Sequence, residues 1–159
     1  MRLNIVLLEP EIPQNTGNIA RTCVITNTKL HLIKPMKFSI EEKEVKRAGM
    51  DYWKELDLEV HENYQDFMKK YQAKKIFYAT TKARKTHSDI DYTSYDEDIF
   101  IMFGKESKGI PESILKENEK WNIRVPMGKK EIARSLNLSN SVSIIIYEVL
   151  RQWDYPGLL

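Results

Sequence analysis

Nine consecutive residues, Ser135-Leu136-Asn137-Leu138-Ser139-Asn140-Ser141-Val142-Ser143, contain four serines and two asparagines and run into the apolar stretch Ile144-Ile145-Ile146-Tyr147. Small donors and acceptors at the mouth of a buried helix suit a ligand with a polar edge and an apolar body. The same composition also suits a plain helix cap, because Ser and Asn are preferred at that position. A second segment, Pro10 to Asn18, offers Asn, Thr and Gly groups near the start of a helix, a natural place for an anion. Arg21 follows Gly17 by one helical turn; the plain alternative is a cap with a surface arginine. In the third segment, Phe103 to Pro111, Gly104 permits a ligand to approach the backbone closely, while Gly109 and Pro111 shape the start of the next helix. A simple turn explains those glycines but not Glu106, which stands between two lysines.

Alternating strands and helices must position these segments. Leu3 to Leu8 is a continuous apolar run, as expected of a strand buried on both faces. Asn15 to Ile25 has helical spacing, Leu30 to Ile33 reads as a short strand, and Glu41 to Ala48 as a helix closed by Gly49. A strand over Leu56 to Val60 and a helix over Tyr64 to Tyr71 follow. Ile76 to Ala79 and Ile99 to Phe103 read as strong strands, Pro111 to Leu115 as a short helix, and Trp121 to Val125 as a strand. The last helix is expected from about Leu138 to Trp153. The fold class is therefore α/β, with a mostly parallel sheet flanked by helices. Ligands in such sheets sit beyond the carboxyl ends of the strands, which selects the loops Glu9–Gly17, Thr80–Ser88, Gly104–Pro111 and the one after Val125.

Composition narrows the class. The 159 residues, 42% hydrophobic and 30% charged, fit one domain with a real core. No cationic stretch with a long apolar core opens the chain, which argues against a leader peptide or a membrane span. The single Cys23 cannot form an internal disulfide and reads as a buried structural thiol, so the cytoplasm is the expected compartment. A net charge of +2 does not announce nucleic acid. Local clusters could still touch phosphate: Lys34 with Lys37, Lys43 with Lys46 and Arg47, Lys82 with Arg84 and Lys85, and Lys129 and Lys130 with Arg134. Each also reads as a solvated face, above all Lys43 to Arg47 with its neighbouring glutamates. Neither G-x-G-x-x-G nor the P-loop signature is present. His31, His61 and His87 are scattered along the chain, so no metal is expected.

Three blocks together carry a family resemblance. Asn15-Thr16-Gly17-Asn18-Ile19-Ala20-Arg21, the F-G-x-E-x-x-G-I-P block from Phe103 to Pro111, and the S-x-N-L-S-N-S-V-S block from Ser135 to Ser143 are similar in kind, order and spacing to the three signature motifs of the SPOUT RNA methyltransferases. The chain resembles most the small tRNA 2′-O-methyltransferases that modify the wobble nucleotide, and the likeness extends to Glu9–Pro13 and to Trp153–Gly157. It departs from their pattern at Asn27-Thr28, where relatives commonly have Thr-Gly. Asn tolerates left-handed backbone, so the turn is expected to survive.

The resemblance implies more than the residues do. Connections rarely thread loops, yet this family ties its C-terminal part into a deep trefoil knot that forms the S-adenosyl-L-methionine pocket of a homodimer. Carried over by position, the methyl donor is expected at Ala79, Thr80, Gly104, Val125 with Pro126, Met127, Ser135 with Leu136, and Asn140. The final helix adds a reading of its own. Val142, Ile145, Ile146 and Val149 form one apolar face while Ile144 and Tyr147 point elsewhere, consistent with a dimer or with a central helix buried by its own chain.

Methyl transfer from a sulfonium needs no metal but needs a base near the ribose hydroxyl. The resemblance nominates Arg21. With an arginine pKa of about 12.5–13.8, a neutral guanidine at pH 7 costs roughly 7–9 kcal/mol. Arg21 is therefore expected to anchor phosphate and position the hydroxyl, accepting its proton only transiently. Glu106 is a rival base, and Tyr147 and Ser135 are lesser candidates. With no appended module, RNA is expected to follow Lys82, Arg84, Lys85, Lys129, Lys130 and Arg134. The implied substrate is the cytidine or uridine 34 ribose, with leucine tRNAs favoured. The alternative is a knotted RNA-binding protein without activity, or an enzyme for another RNA such as rRNA.

Overall fold

The computed structural model describes residues 1–41, 50–132 and 135–159. Seven strands form one parallel sheet: β1 (Leu3–Leu8), β2 (Lys29–Ile33), β3 (Leu58–His61), β4 (Lys75–Ala79), β5 (Lys85–Thr86), β6 (Ile99–Phe103) and β7 (Asn122–Arg124). Their spatial order is β3-β2-β1-β6-β4-β7-β5. Four described helices join them: α1 (Pro13–Ile25), α2 (Tyr64–Tyr71), α3 (Glu112–Glu117) and α4 (Leu138–Gln152). The alternation of elements thus yields the expected α/β architecture. The helix expected over Glu41 to Ala48 lies outside the described residues, apart from Glu41 itself.

The central strands divide their side chains by the two-residue period of extended backbone. Leu3, Ile5 and Leu7 of β1, with Ile99, Ile101 and Phe103 of β6, face the layer that includes Ile19 of α1 and Val142 and Ile145 of α4. Val6 and Leu8, with Phe100 and Met102, face Phe67 of α2 and Ile114 of α3. Burying each such side chain is worth roughly 1.5–3 kcal/mol. Both faces of β1 and β6 are covered, which explains why these runs are apolar apart from Asn4, whose side chain pairs with His31. Cys23 lies in the first layer as a fully buried thiol, and burial pushes its pKa up.

Several boundaries differ from expectation. Helix α1 starts at Pro13, so Asn15, Thr16 and Gly17 are buried residues of its first turns rather than members of a presenting loop. Proline needs no N–H partner there, which favours the earlier start. The Thr80–Ser88 segment contains the short edge strand β5, paired with β7. Before β7, residues Glu119–Trp121 form a 3-10 turn rather than strand. Asn27 adopts φ 55°, the left-handed turn that its residue type tolerates.

Candidate active site

The carboxyl ends of β4, β6 and β7 open into a cavity of about 490 Å³. That size lies within the range of small-molecule sites. Its wall comes from the start of α1 (Ile12, Asn15), residues Ala79 to Lys82, the whole turn from Phe103 to Ile110, Val125 and Met127, and Ser135 to Leu138 with Ser141 and Ile145. All three sequence motifs meet here.

Polar side chains join the motifs into one unit. Asn137 Nδ2 donates to Asn15 Oδ1 at 3.0 Å, and Asn15 Nδ2 donates to Glu106 Oε1 at 3.4 Å. The Glu106 carboxylate also accepts the backbone N–H groups of Glu11 at 2.8 Å and Ile12 at 3.1 Å. Glu11 reciprocates: its Oε1 accepts from the backbone N–H of Ser107 at 3.0 Å and from its hydroxyl at 2.6 Å. Those two bonds from Ser107 hold the Glu11 carboxyl below its usual range. Asn137 has a second task, since its Oδ1 accepts from the backbone N–H of Ser139 at 2.9 Å and caps α4.

The turn after β6 depends on Gly104. A Cβ there would lie 2.0 Å from the carbonyl carbon of Gly109 and 2.1 Å from Ile110 N. The backbone closes on itself through Gly109 N donating to Lys105 O at 2.8 Å, with Gly109 at φ 70°. Only a residue without a side chain fits at 104, and the tightness of the turn shapes the cavity wall.

Of the residues expected at the donor, Ala79, Thr80, Gly104, Val125, Met127, Ser135 and Leu136 line the cavity. Asn140 and Pro126 are exposed and outside the lining, and Asn137 is the asparagine that enters the network. The helical period explains the swap, because Asn137, Leu138 and Ser141 share the side of the helix start that faces the cavity. The cap signal at the start of the helix pointed to that position, although sequence reasoning missed its link to Asn15. Arg21 lies on the exposed side of α1, outside the lining, with its guanidinium 5.2 Å from the Tyr52 ring centre. Lys82 lines the cavity together with Lys105 and Lys108, the two lysines on either side of Glu106. Arg84, Lys85, Lys129 and Lys130 are exposed, while Arg134 lies outside the described residues.

The histidines are less scattered in space than in sequence. Parallel pairing of β2 with β3 brings His31 and His61 together, and their ring nitrogens lie 3.1 Å apart. Glu59 lies 4.0 Å from the first and 3.7 Å from the second. Scatter along the chain was therefore a poor guide, because strand pairing joins residues thirty positions apart. The cluster does not line the cavity. Several of its hydrogen-bonding atoms are engaged: His31 Nε2 meets Asn4 Oδ1 at 2.9 Å, and Glu59 accepts from Lys29, Lys70 and Tyr71.

A parallel sheet covered by helices on both faces, with a cavity at its carboxyl edge where three polar loops meet, defines a three-layer α/β protein with a candidate ligand site. The chain belongs to the SpoU rRNA Methylase family, whose pattern matches residues 2–147. It is 44% identical over 156 residues to the tRNA (cytidine(34)-2'-O)-methyltransferase of Escherichia coli, covering 98% of this chain and 96% of that protein. A structure solved under the description "Structural insights into the 2-OH methylation of C/U34 on tRNA" superposes with a TM-score of 0.88 at 34% identity, covering 96% of this chain and 97% of the other. The SpoU methyltransferase AviRb of Streptomyces viridochromogenes, in complex with AdoMet, shares the fold. Its TM-score is 0.84 at 19% identity, covering 96% of this chain and 61% of that one.

Proposed function

We propose that this protein methylates the ribose 2′-hydroxyl of tRNA nucleotide 34, cytidine or uridine, using S-adenosyl-L-methionine, with leucine tRNAs as substrates. The observation that carries this reading is the Asn137–Asn15–Glu106 network, which joins the three motif segments around one cavity. Full-length likeness to a relative named for that reaction supports it.

The cavity fits such a donor. Ile12, Val125, Met127 and Leu138 offer apolar surface, and Asn15, Thr80, Ser135 and Ser141 offer polar groups. When bound, the donor supplies an activated methyl carbon, a chemistry that calls for no metal. The hydroxyl oxygen gains the methyl group, the carbon–sulfur bond breaks to leave a neutral thioether, and the hydroxyl proton passes to bulk water, resting on Arg21 only transiently. Glu106 already accepts from Glu11, Ile12 and Asn15, so ordering the loop suits it better than taking that proton. Arg21 has its N–H groups free of any described ion pair and serves as the anchor for substrate phosphate, positioning the hydroxyl. Lys82, Arg84, Lys85, Lys129, Lys130 and Arg134 form the RNA path.

A homodimer belongs to the same reading. The inner face of α4 is used within its own chain, with Val142, Ile145, Ile146 and Val149 fully buried. Ile144 and Tyr147 remain 39% and 44% exposed, an outer face suited to a second copy. Arg21 stands outside its own cavity, and a dimer offers it the cavity of a second protomer. The C-terminal trefoil knot also belongs here. The chain between β4 and β6 travels beyond β7 to the sheet edge, and Gln152 and Trp153 of the α4 end bond to Ile90 and Tyr92 of that excursion. One 159-residue catalytic domain acting on tRNA in the cytoplasm completes the proposal; among the described residues no helix is long and apolar enough to cross a membrane.

The test offers labelled donor with tRNAs transcribed with either ribose or 2′-deoxyribose at position 34. Methylation of the first and none of the second is expected. Label on the deoxy substrate would refute ribose transfer, and label on rRNA alone would favour the other substrate that the family name carries.

A further inference from the structure

We infer that Tyr52 is a positioning residue for Arg21. The inference rests on the anchoring role given to Arg21 above. The Arg21 guanidinium lies 5.2 Å from the centre of the Tyr52 ring, within the range in which a cation is attracted to the face of an aromatic ring. Among the described residues, no ion pair or hydrogen bond holds the Arg21 side chain, and the Tyr52 ring is the one aromatic face set against its guanidinium. A long side chain left to rotate loses its pre-organisation, whereas a planar guanidinium on a ring keeps its donor edges free.

The ring itself is held in place. Tyr52 belongs to the 3-10 turn Met50–Lys54, which packs along α1. Its neighbour Trp53 packs against the buried layer between the sheet and α1. Trp53 is thus the anchor, and it leaves Tyr52 half-buried beside the exposed Arg21. The attraction acts only on the charged guanidinium, which favours an anion clamp over a neutral base. Tyr52 itself does not line the cavity.

The test compares Tyr52→Leu, Tyr52→Phe and Arg21→Ala in single-turnover methylation of a tRNA substrate, with donor affinity and thermal midpoint measured alongside. Tyr52→Leu should lower the rate about tenfold, the order expected when a catalytic group is misplaced. Donor affinity and midpoint should stay near those of the parent. Tyr52→Phe should restore the rate to within about twofold, since the ring face is kept. Adding Tyr52→Leu to Arg21→Ala should cost nothing more. A parental rate for Tyr52→Leu, a Phe variant as slow as the Leu one, or full additivity with Arg21→Ala would each overturn the inference. An Arg21→Ala variant as fast as the parent would instead overturn the role of Arg21, a separate result. If Tyr52→Leu unfolds, Tyr52→Met takes its place, with the same expected loss and the same overturning result.

Discussion

Asn137 donates its amide hydrogen to Asn15 across 122 positions of sequence while its own oxygen caps helix α4. One side chain thus starts the last helix and ties it to the first. The two tasks use opposite ends of the amide, and they can be separated by substitution.

Asn137→Ala removes both and should cost about 1 kcal/mol of stability, the usual worth of a cap. Asn137→Asp keeps the capping oxygen but places a second oxygen against Asn15. Stability near the parent with weakened donor binding is expected for the Asp variant, read by urea unfolding and calorimetry. Undiminished donor binding in Asn137→Asp would show that the link to Asn15 does not shape the cavity.

Glu106 distinguishes a structural carboxylate from a base. In Glu106→Gln one oxygen becomes a donor facing the backbone N–H of Glu11 or Ile12, so at least one charge-assisted bond is lost. A stability loss of about 2 kcal/mol is expected, together with weaker donor binding. Loss of turnover with stability and donor affinity intact would assign proton removal to Glu106 after all.

Gly104→Ala forces a methyl group into backbone only 2.0 Å away. The turn must open, at a cost of about 3 kcal/mol. Donor binding should vanish even in protein that stays folded at low temperature, which a thermal-shift titration with donor reads directly.

Acid should weaken the fold through the buried histidines. Burial, aided by Lys29, pushes His31 down to about 3 from 6.5, and burial likewise lowers His61. Below pH 6.5 the unfolded chain therefore binds more protons than the folded one, and stability falls as pH falls, with the His31 share spent near pH 3. Glu59 acts in the same direction: burial alone would raise its carboxyl, but hydrogen bonds from Lys70, Lys29 and Tyr71 hold it low, so protonation also costs stability. Between pH 6.5 and 5 the His31 share is about 2 kcal/mol. Urea unfolding at the two pH values should show that drop, and a smaller one in His31→Gln. An equal drop in both proteins would place the acid sensitivity elsewhere.

Exposed lysines should govern RNA affinity. Replacing Lys82 with Ala should weaken tRNA binding and flatten its dependence on salt by about 0.7–0.9 in the log–log slope, the value of one phosphate contact. An unchanged slope by filter binding would remove Lys82 from the RNA path.

Local pattern sufficed for much of this molecule. The runs Leu3–Leu8 and Ile99–Phe103 announced central strands because burial on both faces leaves almost no polar position, the exception being Asn4, which pairs with His31. The spacing of Val142, Ile145, Ile146 and Val149 announced one buried helical face, and Asn27 announced a left-handed turn. Even the three cavity segments were legible, since their Gly, Asn and Ser residues serve needs of the backbone around them. Tertiary structure alone decided which side chains meet. Asn140 and Asn137 are equivalent as composition, and only the direction of α4 against α1 selects Asn137. His31 and His61 are strangers in sequence, and only the parallel register of β2 and β3 joins them. Such partnerships depend on how strands pair and helices cross, and a periodicity confined to neighbouring residues carries no record of either.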